Sequence, residues 1–168
     1  ASHKIVQNAL IMLHHMDHRG ACGCEDNTGD GAGILTGLPH AFLARVARED
    51  IGITLPEPGS YGAGIIFLPT EAKQRETCKR TLEAIVAEEG QRLLGWRDLP
   101  RDNSMIGETA KSLEPHMEML FIGAADGLDA EELERKLFVI RKRATRHLRA
   151  EVAIEQADLF YVCSLSTK

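Results

Sequence analysis

The sequence is poor in aromatic residues, has no long apolar run and shows no strong excess of one charge. Aromatic side chains make up 5% of its 168 residues. No apolar run reaches the roughly 20 residues that a transmembrane helix needs. The 20 Lys and Arg residues nearly balance 25 Asp and Glu residues, and neither sign forms a long block. These absences argue against a membrane-spanning segment and against a nucleic-acid-binding surface.

Cysteine is also scarce and irregularly spaced. Four cysteines occur in the 168 residues without a repeated interval, which is typical of free thiols in a reducing compartment. The first residues lack the basic-then-apolar order of a signal peptide. We therefore expect a cytoplasmic location, or a plastid one in a photosynthetic eukaryote. The length is that of one domain with a substantial core.

The stretch from His14 to Leu35 carries most of the chemistry. Its 22 positions hold three His, two Cys, four acidic residues, one Arg and five Gly. The segment G-D-G-A-G, from Gly29 to Gly33, lets the backbone turn tightly and approach another group closely. This composition predicts a functional site rather than a stretch that only builds the fold.

A metal site is one interpretation of this stretch. The side chains that can ligate a metal are His14, His15, His18, Cys22 and Cys24. The interval between the first and third histidines suits zinc, but the two cysteines are one residue closer than a zinc pair requires. We expect no bound metal, and we interpret the histidines as solvated or hydrogen-bonded groups at a helix end.

A phosphate-binding loop is a second interpretation. The segment G-D-G-A-G lacks the Lys-Ser/Thr pair of a P-loop and precedes a predicted strand rather than a helix. Asp30 would also repel an anion.

The basic stretch from Arg135 to Arg149 mixes acidic and apolar residues at helical spacing, which predicts a solvated amphipathic helix face.

Before Tyr61 the pattern predicts a helix, a strand and a second helix. Ser2 is the predicted N-cap of the first helix, whose apolar residues recur at helical spacing. They are Ile5, Ala9, Met12, Leu13 and Met16. A buried strand is predicted from Ala32 to Leu38.

The second helix is predicted from His40 to Glu49, with Pro39 in its first turn. Its predicted inner side consists of Phe42, Leu43, Val46 and Ala47. The cluster from Pro56 to Gly59 is the predicted internal boundary.

After Tyr61, strands and helices alternate regularly. The predicted strands are Gly64 to Leu68, Leu93 to Leu99, Met117 to Ile122 and Leu159 to Leu165. One helix is predicted from Thr70 to Glu89, and a longer one starts at Asp129, where Glu132 completes a capping box. The resulting β-α-β-β-α-β order is that of a split βαβ, or ferredoxin-like, unit.

The segment M-x-H-R-G-A-C-G-C-E-x-N-T-G-D-G-A-G-I-L, from Met16 to Leu35, closely resembles the glutaminase domain of glutamate synthases. That domain belongs to the class II glutamine amidotransferases, which are N-terminal-nucleophile hydrolases. Three further motifs resemble the same family: G-W-R-D-x-P from Gly95 to Pro100, E-R-K-L-F-V-I-R-K-R from Glu134 to Arg143, and F-Y-V-C-S-L-S from Phe160 to Ser166.

The resemblance implies an α+β fold of the N-terminal-nucleophile (αββα) type, with residues 1–168 forming part of one amidotransferase domain. Within it, residues 1–55 would carry the first helix, the glycine-rich loop and a strand, and residues 60–166 the split βαβ region. The implied activity is hydrolysis of glutamine to glutamate and ammonia, with the ammonia used for reductive amination of 2-oxoglutarate.

In the family, the nucleophile is a cysteine at the first position of the mature chain, whose free α-amino group acts as the base. This sequence begins with Ala1, and its own cysteines carry no free amine. By resemblance, we expect the nucleophile to precede Ala1 and the oxyanion-hole residues to follow Lys168. The 168-residue chain alone is therefore expected to be inactive.

Arg19 of H-R-G matches the arginine that lies beside the nucleophile in the family, so the resemblance implies a catalytic role for it. A guanidinium near a thiol favours the thiolate. His18, Gly20, Asp30 and Gly31 match the same motif, and we expect them to shape the glutamine pocket.

The resemblance implies no cofactor in this segment, and FMN and an iron-sulfur cluster in the full-length enzyme. The implied partners are glutamine, the remaining synthase domains of the same polypeptide, and a reductase subunit or ferredoxin. Two alternatives stay open at this point: another class II amidotransferase with a different acceptor, and a non-enzymatic ferredoxin-like binding module.

Overall fold

The structure is a computed structural model that describes residues 2–16, 18, 36–150 and 152–168. Its helices are α1 (His3–His15), α2 (His40–Ile51), α3 (Ala72–Glu88), α4 (Glu108–Ser112) and α5 (Ala130–Ala150). Its strands are β1 (Tyr61–Leu68), β2 (Arg92–Asp98), β3 (His116–Gly123) and β4 (Tyr161–Val162). The chain divides into two compact units, one of residues 1–37 and 101–114 and one of residues 38–100 and 115–168.

In the first unit, the helix α1 forms where the apolar spacing predicted it. Ser2 occupies the N-cap position, but its side chain makes no capping hydrogen bond. None of the residues of α1 is buried, and Ile5 and Met12 are 60% and 65% exposed. The predicted inward face of this helix is therefore not covered by the described residues.

The second unit is built on a four-stranded sheet with the order β2-β3-β1-β4. Every neighbouring pair is antiparallel. The two central strands pair along their whole length, from Tyr61 opposite Gly123 to Leu68 opposite His116. The prediction of a fold that mixes helices and strands is confirmed, and the sheet is antiparallel.

The larger core lies between one face of the sheet and the helices α3 and α5. Helix α5 begins with the predicted capping box: Glu131 and Glu132 donate their backbone N–H groups to Asp129 Oδ1 at 2.9 and 2.8 Å, and Asp129 N donates to Glu132 Oε2 at 3.0 Å. The buried face of α5 consists of Leu133, Leu137, Ile140, Ala144 and Leu148. The helical period in the sequence thus predicted this packing correctly.

A smaller core covers the other face of the sheet, where α2 packs. Leu43 and Ala47 of α2 join Tyr61 and Phe121 of the sheet in this cluster. Phe42, which was predicted to face inward, is 49% exposed; that prediction was wrong because the next residue along the helix points to the sheet. Residues before and after the predicted boundary from Pro56 to Gly59 therefore share this smaller core.

The last strand is shorter than predicted. Only Tyr161 and Val162 pair along β1, and Ser166 makes an isolated bridge to Ala63. A Cβ atom on Gly64 would stand 2.1 Å from the carbonyl oxygen of Ser164, so glycine is required where this segment crosses β1.

Two other expectations, the strand predicted from Ala32 to Leu38 and the lack of a membrane-spanning helix, can be compared only with the described residues. Residues 36–38 are irregular, and the rest of the predicted strand from Ala32 lies outside the described residues. No helix in the described part of the chain is both long and apolar enough to cross a bilayer.

Candidate functional site

The predicted site begins at the end of α1. His14 and His15 form the last turn of this helix, and both are exposed. His18 is described and is also exposed. Arg19, Gly20, Asp30 and Gly31 lie outside the described residues, as do Cys22 and Cys24. The structure therefore describes the residues that precede and follow this stretch. The roles predicted for His18, Arg19, Gly20, Asp30 and Gly31 stay predictions.

The residues that follow the glycine-rich segment contact the sheet. Leu38 packs against the smaller core, and Pro39 is the N-cap of α2. His40 Nδ1 lies 3.0 Å from the hydroxyl of Tyr61, which is completely buried. Burial raises the pKa of Tyr61, so its hydroxyl stays protonated and can share a hydrogen bond with the His40 ring.

The motif G-W-R-D holds β2 to both helical layers. Successive residues of a strand point to opposite faces, and Trp96 and Arg97 do so here. The indole Nε1 of Trp96 donates to Glu83 of α3 at 2.7 Å. On the other face, Arg97 Nε donates to Asp50 of α2 at 2.6 Å, and a Cβ on Gly95 would lie 3.2 Å from Ile51. This motif therefore acts in packing.

A polar cluster on the α3 side of the sheet was not predicted. Glu118 of β3 is 7% exposed, and Lys79 Nζ of α3 lies 2.6 Å from its Oε2. His116 Nε2 lies 3.2 Å from Glu118 Oε1 and 3.6 Å from Asp98. The same lysine stands 4.9 Å from the centre of the Trp96 ring. The available sequence signal was an acidic residue in a strand, two positions after a histidine on the same face.

The carboxy-terminal motif fastens the last segment to α5. Phe160 and Leu165 are buried in the larger core. Thr167 donates both its backbone N–H and its hydroxyl to Glu134 Oε2, each at 2.8 Å. Burial opposes ionisation of Glu134, but these hydrogen bonds outweigh it and lower the pKa of this carboxyl below its usual value. The E-R-K and F-Y-V-C motifs thus meet each other in the fold.

The sequence model of the class II glutamine amidotransferases matches residues 1–168. The chain belongs to this family. Relatives include the NADPH glutamate synthase large chain of Bacillus subtilis, 38% identical over 99% of this chain, and the NADH glutamate synthase of Schizosaccharomyces pombe, 40% identical over 98%. A ferredoxin-dependent glutamate synthase of Synechocystis is 34% identical over 99%. The chain spans 8 to 10% of the length of these relatives.

Neither of the two described cysteines has the lowered pKa of an activated thiol. Cys78 is completely buried in the larger core, and burial raises its pKa to about 11. Cys163 is exposed, and partial desolvation raises the pKa of its thiol as well. Reactive cysteines in enzymes have lowered pKa values and lie near positive charge. Neither described thiol therefore fits the role of the nucleophile.

Proposed function

We propose that this chain is part of the glutaminase domain of a glutamate synthase, which hydrolyses glutamine to glutamate and ammonia. The observation that carries the proposal is the family match over all 168 residues, together with relatives that are named glutamate synthases and align with nearly the whole chain. The alternative of a non-enzymatic ferredoxin-like module is not favoured by this family. A different amidotransferase is not favoured by the names of the relatives.

In the proposed reaction, a cysteine thiolate attacks the side-chain amide carbon of glutamine. The carbon–nitrogen bond breaks, the nitrogen takes up a proton and leaves as ammonia, and water hydrolyses the resulting thioester to glutamate. We assign the nucleophile to a cysteine with a free α-amino group and not to Cys78 or Cys163. Arg19 would stabilise the thiolate electrostatically, while His18, Gly20, Asp30 and Gly31 would shape the pocket.

We further propose that residues 1–168 form part of one domain of the N-terminal-nucleophile type. Residues 1–55 would carry the site loop and residues 60–166 a split βαβ region. The strand order β2-β3-β1-β4, with α3 and α5 as the two crossovers on one face, supports the second assignment. In this arrangement, the contact between Tyr61 of the sheet and His40 would hold the residues that follow the site loop.

The ammonia would pass to a synthase region of the whole protein that adds it to 2-oxoglutarate, using FMN and an iron-sulfur cluster. An iron-sulfur cluster needs several cysteine ligands together. The described part of the chain contains no group of three or more His, Cys, Asp or Glu placed to hold a metal ion, so its residues do not fit the cluster. We assign both cofactors, and contact with a reductase subunit or ferredoxin, to other regions of the whole protein.

We propose a cytoplasmic or plastid location. In support, the relatives include a chloroplastic ferredoxin-dependent glutamate synthase of Oryza sativa, 34% identical over 99% of this chain.

Replacing Arg19 in the complete protein tests the proposed function. Arg19→Ala should lower glutamine-dependent glutamate formation on the order of a hundredfold, because one electrostatic contact to the reacting group is lost. Formation of glutamate from added ammonia should continue, since that step would use the distant synthase site. Arg45→Ala is the control, because Arg45 makes local and exposed contacts: an ion pair with Glu49 at 3.0 Å and the face of the Phe42 ring at 5.5 Å.

Two results would contradict the proposal. Unchanged glutamine kinetics in Arg19→Ala would remove the role of Arg19. A complete protein that releases no ammonia from glutamine would remove the glutaminase assignment itself.

A further inference from the structure

A groove of about 670 Å³ lies between α3 and α5, on the outer surface of the helical layer. On α3 it is lined by Thr77, Thr81 and Ala84, which share one helix face because they lie four and three residues apart. These three side chains are short, so they leave open space opposite α5. The buried residues Ile85 and Ala144 lie in the larger core, so both walls rest on well-packed helices.

The charges that line the groove are mostly positive. Three arginines contribute to it, Arg80 from α3 and Arg143 and Arg146 from α5, against the single acidic residue Glu88. Arg143 forms ion pairs with Glu88 and Glu89, so its charge is used to neutralise acidic groups and the excess positive charge of the lining comes from Arg80 and Arg146. A cationic groove is unusual in a chain whose net charge is −5.

Arg146 is the main cation of the groove with no partner among the described residues. Three other basic residues of α5 are engaged: Lys136 pairs with Glu89 at 3.0 Å, and Arg141 and Arg149 donate to backbone carbonyls. Arg80 has only a long, exposed contact of 3.7 Å with Glu76. Two guanidinium groups therefore remain able to bind an anion in the same groove.

We propose that this groove is a binding site for a small polyvalent oxyanion of the phosphate class. Its volume falls within the range of roughly 300 to 1,000 Å³ that is typical of small-molecule sites. Arg80 and Arg146 would supply paired N–H donors, a geometry that matches phosphate oxygens, and Thr81 would supply a hydroxyl donor from α3.

The lining favours a small anion over an acidic protein segment. A docked amphipathic helix needs an apolar stripe to cover. None of the exposed large apolar side chains of the described residues lines this groove. The lining also contains no Phe, Tyr or Trp, so the phosphate group itself, rather than an attached base, would provide the affinity.

Equilibrium dialysis of the complete protein with labelled inorganic pyrophosphate, at low ionic strength, tests the proposal. Arg146→Gln should weaken the affinity of this site about tenfold, which corresponds to one charge-assisted hydrogen-bonded contact. The matched control is Arg135→Gln, which removes one exposed charge from the same helix outside the groove. Arg146→Lys should recover part of the affinity, and high salt should weaken binding because exposed charges are screened.

A second arm compares pyrophosphate with ADP, which should bind to this site with similar affinity if only phosphate oxygens are recognised. Equal binding by the Arg146→Gln and Arg135→Gln variants would overturn the proposal, as would the absence of pyrophosphate binding to the unchanged protein. Binding of a glutamate-rich peptide without binding of pyrophosphate would also overturn it and would identify a protein-docking surface. The assay uses no glutamine, so its outcome is independent of the proposed function.

Discussion

At the scale of single residues, the buried charges of the sheet are held by specific partners on the helices. Glu118 depends on Lys79 and His116, and Arg97 depends on Asp50. Burying a charged group without a partner costs several kcal/mol. Lys79 and Glu118 are 39 residues apart in the sequence, and Asp50 and Arg97 are 47 apart. Each of these two pairs therefore fixes the position of a helix on the sheet.

Replacing Lys79 by Met should lower the free energy of unfolding by about 2 kcal/mol, because it leaves the carboxylate of Glu118 without its charged partner. Urea denaturation measures this loss. Lys73→Met is the control on the exposed side of the same helix and should change stability by less than about 0.5 kcal/mol. Adding Glu118→Leu to Lys79→Met should restore part of the stability, since no unpaired charge then remains. Equal losses in the Lys73 and Lys79 variants would show that the ion pair contributes nothing.

The buried thiol of Cys78 provides a prediction about pH. Its pKa is raised from 9.0 to about 11 in the folded chain because burial disfavours the thiolate. Its contribution to stability is therefore fully present below pH 9.0 and is lost as the pH rises through about 11. Unfolding measured over this range should show a steeper loss in the unchanged chain than in Cys78→Ala. Parallel pH profiles would contradict the raised pKa.

At the scale of secondary-structure elements, local hydrogen bonds determine where α5 begins. The side chain of Asp129 accepts two backbone N–H groups, and the backbone N–H of Asp129 donates to the carboxylate of Glu132. Asp129→Ala should lower the free energy of unfolding by about 1 kcal/mol, because two backbone donors lose their acceptor. Asp126→Ala, in the exposed turn before the helix, should have little effect. A similar loss in both variants would mean that the cap does not stabilise α5.

The ends of other elements depend on neighbours distant in sequence. The chain after Val162 leaves β1 and crosses Gly64 so closely that a Cβ atom there would collide with a carbonyl oxygen. The apolar residues Val162 and Leu165 still enter the core, which is why the pattern predicted a longer strand. Residues in this segment can therefore be buried without pairing along a strand. The sequence pattern indicated the burial but not the absence of pairing.

At the scale of the whole molecule, the two compact units differ in how much apolar surface they bury. The sheet unit contains both hydrophobic cores, whereas no residue of α1 is buried. An isolated helix of about 12 to 15 residues is only marginally stable in water. Hydrogen exchange of the 168-residue chain should therefore show rapid exchange of the α1 amides and slow exchange in β1, β3 and α5.

The same experiment tests the placement of α2. Leu43, Val46 and Ala47 are buried, so the α2 amides should be protected together with the sheet and not with α1. Protection of α1 equal to that of α5 would contradict this division of the chain.

The sequence by itself determined the features that depend on residues close together in the chain. The capping box and the helical period specified α5, because both act within a few residues. The H-R-G and T-G-D-G-A-G motifs indicated the family, which the match over residues 1–168 then showed. The predicted site residues Arg19, Gly20, Asp30 and Gly31 rest on these motifs alone.

The tertiary structure decided which surfaces meet. It placed Phe42 in solvent and Leu43 in the core, and it brought Lys79 to Glu118 and Arg97 to Asp50. It also left α1 without a buried face. A periodic pattern shows that a face is apolar, but whether that face is covered depends on elements far away in the sequence. The same reason applies to the groove between α3 and α5, where the two walls come from helices separated by two strands.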